Sequence, residues 1–409
     1  MNDMLEPVAQ FLAGMTLVVG FYRWFYTGVL RQKWGLVRAF TEARLHHVVV
    51  GWVIGFVSMP LWGIWLERGV LLAALFLVGW YAMTFGALID WRIMRLMNRQ
   101  MLRSEGGQLV ALLIVMSLLW YVFESAATIN GWLFIGLGGV MAMSLPQAQL
   151  ERRPMRMRKS AQRVPSIAVG AGILVLGVSG LQMRQEVEVI FFLPFSNPLL
   201  LEGMVGRVIG SLFLGAVVGL LVDMVTRGAK RAYFGYLLAG GILIGVGIAM
   251  NVAIEPLWVG VIAGVWITNT TLNRVAVLQL AEGGSLILRI SLLGIVGMFA
   301  GTNIAGSHFM WELFGISLGL FLCLPAIRYI GQQMAGQAGR QIIYWRSLFN
   351  QGELGLVATL ALGLSAGSSA ATSVGAAWLL CEILYALSGN GLAALVGAFS
   401  DRVARLSEA

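Results

Sequence analysis

Residues 46–92 read HHVVVGWVIGFVSMPLWGIWLERGVLLAALFLVGWYAMTFGALIDWR. Two apolar runs fill this stretch, and each is close to the roughly 20 residues a helix needs to cross a hydrocarbon core about 30 Å thick. Only Glu67 and Arg68 interrupt them. Arg31, Lys33, Arg38 and Arg44 precede the first run, and Arg92, Arg95, Arg99 and Arg103 follow the second. The chain leaves a basic side, crosses, turns through a nearly uncharged connection, and returns to a basic side.

The same alternation extends in both directions. Apolar segments fall at Val8–Leu30, His46–Leu66, Val70–Ile89, Gly107–Ala127, Gly131–Gln147, Pro165–Met183, Met204–Thr226, Tyr233–Ile254, Pro256–Thr271, Leu286–Ala305, Phe309–Ile330, Ser347–Gly367 and Ala371–Val396. Of the 28 Lys and Arg, all but Arg23, Arg68, Arg184 and Arg207 fall in or beside every second connection or in the tail, Arg274 and Arg289 among them. By the positive-inside rule that side is cytoplasmic, which puts the N-terminus outside and the C-terminus inside. The composition agrees: the chain is 58% hydrophobic and 11% charged, with mean hydropathy +0.82, against about 25% charged for a soluble domain. Continuous apolar runs, rather than alternating ones, exclude a transmembrane barrel. The expected fold is an all-α polytopic membrane protein of about 13 transmembrane helices, with no soluble domain. The fifth and ninth segments are short, so tilt or a break is expected there.

Net charge +9 follows from this topology, so a nucleic-acid partner is not inferred. The lipid bilayer is the partner the chain requires. Cys323 and Cys381 both lie in apolar runs and suggest neither a disulfide framework nor a metal site. Three histidines and few acids leave little material for catalysis, and no phosphate loop or nucleophile–base pair is present. No cofactor is expected.

Several local patterns, in order, resemble the monovalent cation–proton antiporter superfamily, and in particular its bacterial potassium-efflux and sodium–proton exchanger branch. VVVGWVIGFVSMP from Val48 is similar to that family's VLGYLIAGxxxGP. FGALIDWRIMR, with Asp90, is similar to IGLELDPxRLxx. VGVIAGVWITNT, through Gly260, Ala263 and Gly264, is similar to xGAFLAGxLLxxS. GIVGM in the tenth segment is similar to FFxxVGM, and NQGELGLVATLAL, through Gln351, Gly352 and Glu353, to QGSEFAFVxxxA. The resemblance covers nearly the whole chain. It implies two inverted six-helix repeats, here residues 1–203 and 233–409, joined by a linker helix within 204–232. It also implies discontinuous fifth and twelfth helices crossing at mid-membrane, a homodimer, and a bacterial inner-membrane location.

The chain departs from that family where the family's chemistry sits. The resemblance implies a buried carboxylate midway along the sixth helix, but PSIAVGAGILVLGVSGLQM from Pro165 contains no acid, and the acid's place falls near Gly172 and Ile173. It also implies a basic residue on the eleventh helix, whose place falls near Cys323. Both charges are missing together, which is coherent, because a lone charge in a buried site costs several kcal/mol.

The remaining ion- or substrate-pathway candidates are few. Ser144, beside Pro146, and Thr359 can cap backbone freed by helix breaks or touch an ion. The plainer alternative is local hydrogen bonding. Glu382, within ATSVGAAWLLCEILYALSG, is an intramembrane acid and therefore a functional candidate by default. The structural alternative is a neutral acid bonded to a neighbouring helix. Glu353 suits a helix N-terminus. His46 and His47 read as interfacial anchors or as a pH-sensing pair. Two functions follow: a secondary transporter working by alternating access on a monovalent cation, without its customary proton-binding acid, or a non-transporting scaffold, sensor or subunit of a partner protein that retains the fold. Neither is an enzyme.

Overall fold

A computed structural model describes residues 44–87, 89, 99–122, 204–229, 233–251, 254, 256–271, 274–303, 310–334, 355–357, 359–361 and 369–384. They form the helices α1 (His46–Ala87), α2 (Arg99–Val122), α3 (Met204–Arg227), α4 (Phe234–Asn251), α5 (Pro256–Thr270), α6 (Arg274–Asn303) and α7 (Trp311–Met334). Residues 355–357 and 359–361 are also helical, as is α8 (Ser369–Leu384). No strand occurs among the described residues. The expected first, fifth and sixth segments lie outside them.

The outward faces show which solvent the helices meet. On α3 the exposed positions are Ile209, Leu212, Phe213, Leu220, Leu221, Met224 and Val225, a stripe at three- and four-residue spacing, while Ser211, Val218, Val222, Asp223 and Thr226 are buried behind it. On α2 the exposed stripe is Val110, Leu113, Ile114 and Leu118. A soluble protein rarely exposes apolar patches of this extent. Outside the core, this surface is matched to hydrocarbon. Tyr121, Tyr236 and Trp311, near helix ends, are strongly exposed, as suits aromatic belts. By length and apolarity alone, one described helix, Val208–Arg227, is sufficient to cross a membrane.

Glycine sets the packing. Gly51 and Gly55 of α1 lie against Gly294 and Met298 of α6, and Gly297 and Gly301 of α6 lie against Val48 and Trp52. Further along α1, Gly79, Ala82, Met83 and Gly86 meet Gly260, Val261 and Gly264 of α5. A Cβ on Gly260 would stand 2.6 Å from the Gly79 carbonyl oxygen and 2.7 Å from the Ala82 Cβ. Small residues permit this backbone approach where lipid gives no hydrophobic driving force between helices. Gly51, Gly260, Gly264 and Gly297, each within a pattern singled out in the sequence, are therefore helix-crossing points.

Contacts also fix relative directions. α1 runs parallel to α6 at its start and parallel to α5 at its end. α3 is parallel to α5, with Gly215 on Ile262 and Gly219 on Trp266, and antiparallel to α4, with Gly241 on Val222 and Gly245 on Val218. α7 and α8 are parallel: the Met310 amide donates to Ser373 Oγ at 3.0 Å, and eight residues on, Cys381 Sγ lies 4.0 Å from the Leu318 carbonyl.

One expectation changes. The segments His46–Leu66 and Val70–Ile89, as far as Ala87, form a single helix of 42 residues, because the short connection at 67–69 keeps helical backbone. As a straight rod it would measure about 63 Å, twice a bilayer core. α1 and α6 cannot both be straight. A straight α1 would put Ile89 about 57 Å beyond Gly51, and a straight α6 would put Arg274 about 30 Å before it. Yet Asn269, only five residues from Arg274, donates to the Ile89 carbonyl at 3.0 Å. At least one of the two bends, and α1 carries Pro60, which removes a backbone donor. α6 likewise begins twelve residues before the expected Leu286.

Polar side chains from α5 finish the end of α1. Thr268 Oγ1 donates to the Ala87 carbonyl at 2.7 Å, and Asn269 Nδ2 reaches Ile89 as above. The last carbonyls of a helix lack intrahelical donors, and in hydrocarbon they need protein partners. Asp223, buried on α3, pairs with Arg227 one turn on at 2.6 Å.

Candidate functional site

α8 carries the site, and its sequence explains its position. Ala370, Ala371, Ser373, Val374 and Ala377 are buried, and their small size lets α8 sit against α6, α7 and the 355–361 segment together. Gly375 is the closest approach. A Cβ there would stand 3.0 Å from Val296 Cγ1 of α6 and 3.5 Å from the Thr359 methyl. Thr372 Oγ1 donates to the Phe299 carbonyl of α6 at 3.5 Å.

Glu382 lies seven residues past Gly375, nearly two turns, and so on the same face. It is 4% exposed, whereas Leu380 and Leu384, on the opposite face of the helix, are 37% and 42% exposed. The carboxyl therefore belongs to the interior and not to lipid. Thr359 is fully buried, and its Oγ1 donates to the Gly355 carbonyl at 2.8 Å. That bond is the local alternative considered for Thr359. The structure thus brings two of the sequence candidates, Thr359 and Glu382, to one face of α8, about 10 Å apart along its axis.

Cys323 does not join them. It is half-buried on α7, four residues from Gly319, which faces Leu119 of α2, and well round the helix from Met310 and Leu318, which meet α8. Ser144, Gly172, Ile173 and Glu353 lie outside the described residues, as do Asp90 and the basic run from Glu151. His46 and His47 are buried at the start of α1 with ring centroids 4.0 Å apart. They are not exposed interfacial anchors.

Two further polar groups border the α8 face. Trp378, between Gly375 and Glu382, has its Nε1 buried without a hydrogen-bond partner, and so does the hydroxyl of Ser317 on α7. Buried donors of this kind are normally satisfied, often by water. Indole N–H donates only, so water or another acceptor satisfies it. Sequence reasoning missed both residues, because a tryptophan and a serine in an apolar run carry no signal until their burial is known. Among the described residues no group of His, Cys, Asp and Glu is arranged to hold a metal ion.

No family model matches the sequence, and no curated protein does. A solved structure does: the sodium proton antiporter MjNhaP1 from Methanocaldococcus jannaschii aligns with a TM-score of 0.52 and 14% identity, over 93% of this chain and 99% of that one. The chain therefore shares the fold of that antiporter.

Proposed function

We propose that this protein is a secondary transporter that exchanges protons for a monovalent cation, with Glu382 as the residue that binds one or the other. A single observation carries the reading: in an antiporter fold whose sixth segment, Pro165–Met183, has no acid, a carboxyl on α8 is buried on an inward face shared with Thr359. An intramembrane acid facing a bundle interior marks an ion or proton pathway. Competition between proton and cation at one carboxyl couples the two fluxes, since each state of the site is then loaded by one ion. Alternating access moves that site between the two sides, through the inverted repeats and the discontinuous fifth and twelfth helices implied by the resemblance. Ser144 and backbone carbonyls complete the cation's shell, and Thr359 lies further along the same face. We place the protein in a bacterial inner membrane as a homodimer, N-terminus outside.

The acid-free sixth segment favours a second reading, a non-transporting scaffold or subunit that keeps the fold and works through a partner protein. Proton flux in proteoliposomes separates the two. The transporter gives cation-driven flux that Glu382→Gln abolishes, and the scaffold gives none.

A further inference from the structure

We infer that the polar layer where α1, α3 and α5 end is a binding site for a monovalent cation, with Asp223 as its charged ligand. Contacts bring the three ends together. On α3, Gly215 meets Ile262 of α5 and Gly219 meets Trp266. One further turn sets Asp223 level with Thr270, the last residue of α5. Thr268 of α5 donates to the Ala87 carbonyl at the end of α1, and Asn269 donates to the Ile89 carbonyl beyond it. The three helices run parallel here, so each presents its C-terminus to this layer. A helix C-terminus carries about half a negative charge, and its last carbonyls lack donors from their own helix.

Asp223 supplies the independent sign of a ligand. It is 1% exposed. Its Oδ2 accepts from Arg227 at 2.6 Å, and the Thr271 hydroxyl hydrogen-bonds the same carboxyl. Its Oδ1 is buried and has no hydrogen-bond partner among the described residues. An ionised carboxylate only accepts, so a donor or a cation completes Oδ1. Water would satisfy that oxygen alone. A cation also answers the negative ends of three helices, and carboxylate, hydroxyl and backbone carbonyl supply the oxygen ligands that hard cations take. The charge of the site selects a monovalent ion. Among the described residues Asp223 belongs to no group of acids and histidines arranged to hold a metal, and Arg227 already shares its charge, whereas sites for divalent ions commonly draw on more than one carboxylate. Arg227, one turn nearer the helix end and with a side chain 54% exposed, competes with the ion for the carboxyl. The bound ion fastens the ends of α1, α3 and α5 to one another.

The site lies on helices other than α8, so this inference does not rest on the role proposed for Glu382. Melting temperatures of the purified protein in detergent are measured in sodium, potassium, lithium and choline chloride at one ionic strength. For the native protein, at least one of the metal cations should raise the melting temperature above that in choline, and the rise should grow with concentration as mass action requires. The same rise is expected in Glu382→Gln, and its loss in Asp223→Asn. No cation-specific rise, the result for water at Oδ1, overturns the inference, as does a rise that survives Asp223→Asn. A rise that vanishes in Glu382→Gln belongs to that acid and overturns it too. If Asp223→Asn does not fold, Arg227→Ala decides. With its competitor removed, the ion should reach half its effect at a concentration several-fold lower than in the native protein, and an unchanged midpoint counts against the site.

Discussion

Replacing Gly51 by alanine tests the packing most sharply, because the structure supplies its own control. A Cβ on Gly51 would fall on the Gly294 carbonyl oxygen, 2.8 Å from its carbon and 3.0 Å from the Gly294 Cα. Carbon atoms in contact prefer about 3.5–4.0 Å, so α1 and α6 must separate by the better part of an ångström. No rotamer relieves a clash with backbone. Overpacking of this kind costs about 1–3 kcal/mol, and the upper part of that range applies because Gly55, Gly297 and Gly301 lie at the same crossing. The gain in helix propensity from glycine to alanine offsets at most about 1 kcal/mol, leaving a net loss of about 2 kcal/mol. Gly294 is the control. A Cβ on that residue meets nothing within 4 Å, so Gly294→Ala receives the propensity gain without a clash. Thermal unfolding in detergent, followed by monodisperse protein remaining after heating, should show Gly51→Ala melting well below the native protein and Gly294→Ala at or above it. Equal melting of Gly51→Ala and the native protein would refute the α1–α6 crossing.

Other changes test neighbouring parts of the account. Thr268→Val removes the donor to the Ala87 carbonyl and should cost about 0.5–1 kcal/mol, close to the mean for interhelical bonds in membranes; the same melting assay reads it. Arg227→Ala leaves the buried Asp223 carboxylate without its cation, whereas Asp223→Asn removes the charge itself. The arginine variant should therefore be the less stable of the two, and the opposite order would mean that the pair has no structural role. Glu382→Gln should abolish cation-driven proton movement while leaving folded protein in the membrane, and unchanged coupling would remove Glu382 from the mechanism.

Much of the fold is legible in the sequence because hydrocarbon is an exacting solvent. Apolar run length and the side on which arginines fall depend on the bilayer alone. Gly51, Gly260, Gly264 and Gly297 were visible in the sequence as parts of local patterns, and their contacts give them a physical reason. Continuity of α1 was not legible, since the charged interruption at Glu67 and Arg68 reads as a turn whether or not helical backbone persists. The site was legible only in part. Glu382 stands out as an acid in an apolar run, and its inward face follows from Leu380 and Leu384 facing out. The expected basic place at Cys323 came from counting along α7, and counting cannot reveal that this position turns away from α8.

The most direct measurement is flux. Purified protein is reconstituted in liposomes with a pH-sensitive dye, a proton gradient is imposed, and sodium, potassium and lithium are added in turn. The account predicts a cation-dependent collapse of the gradient that empty liposomes lack and that Glu382→Gln abolishes. No response to any of the three, from protein shown to be folded and inserted, would contradict proton–cation exchange and leave the non-transporting subunit as the reading.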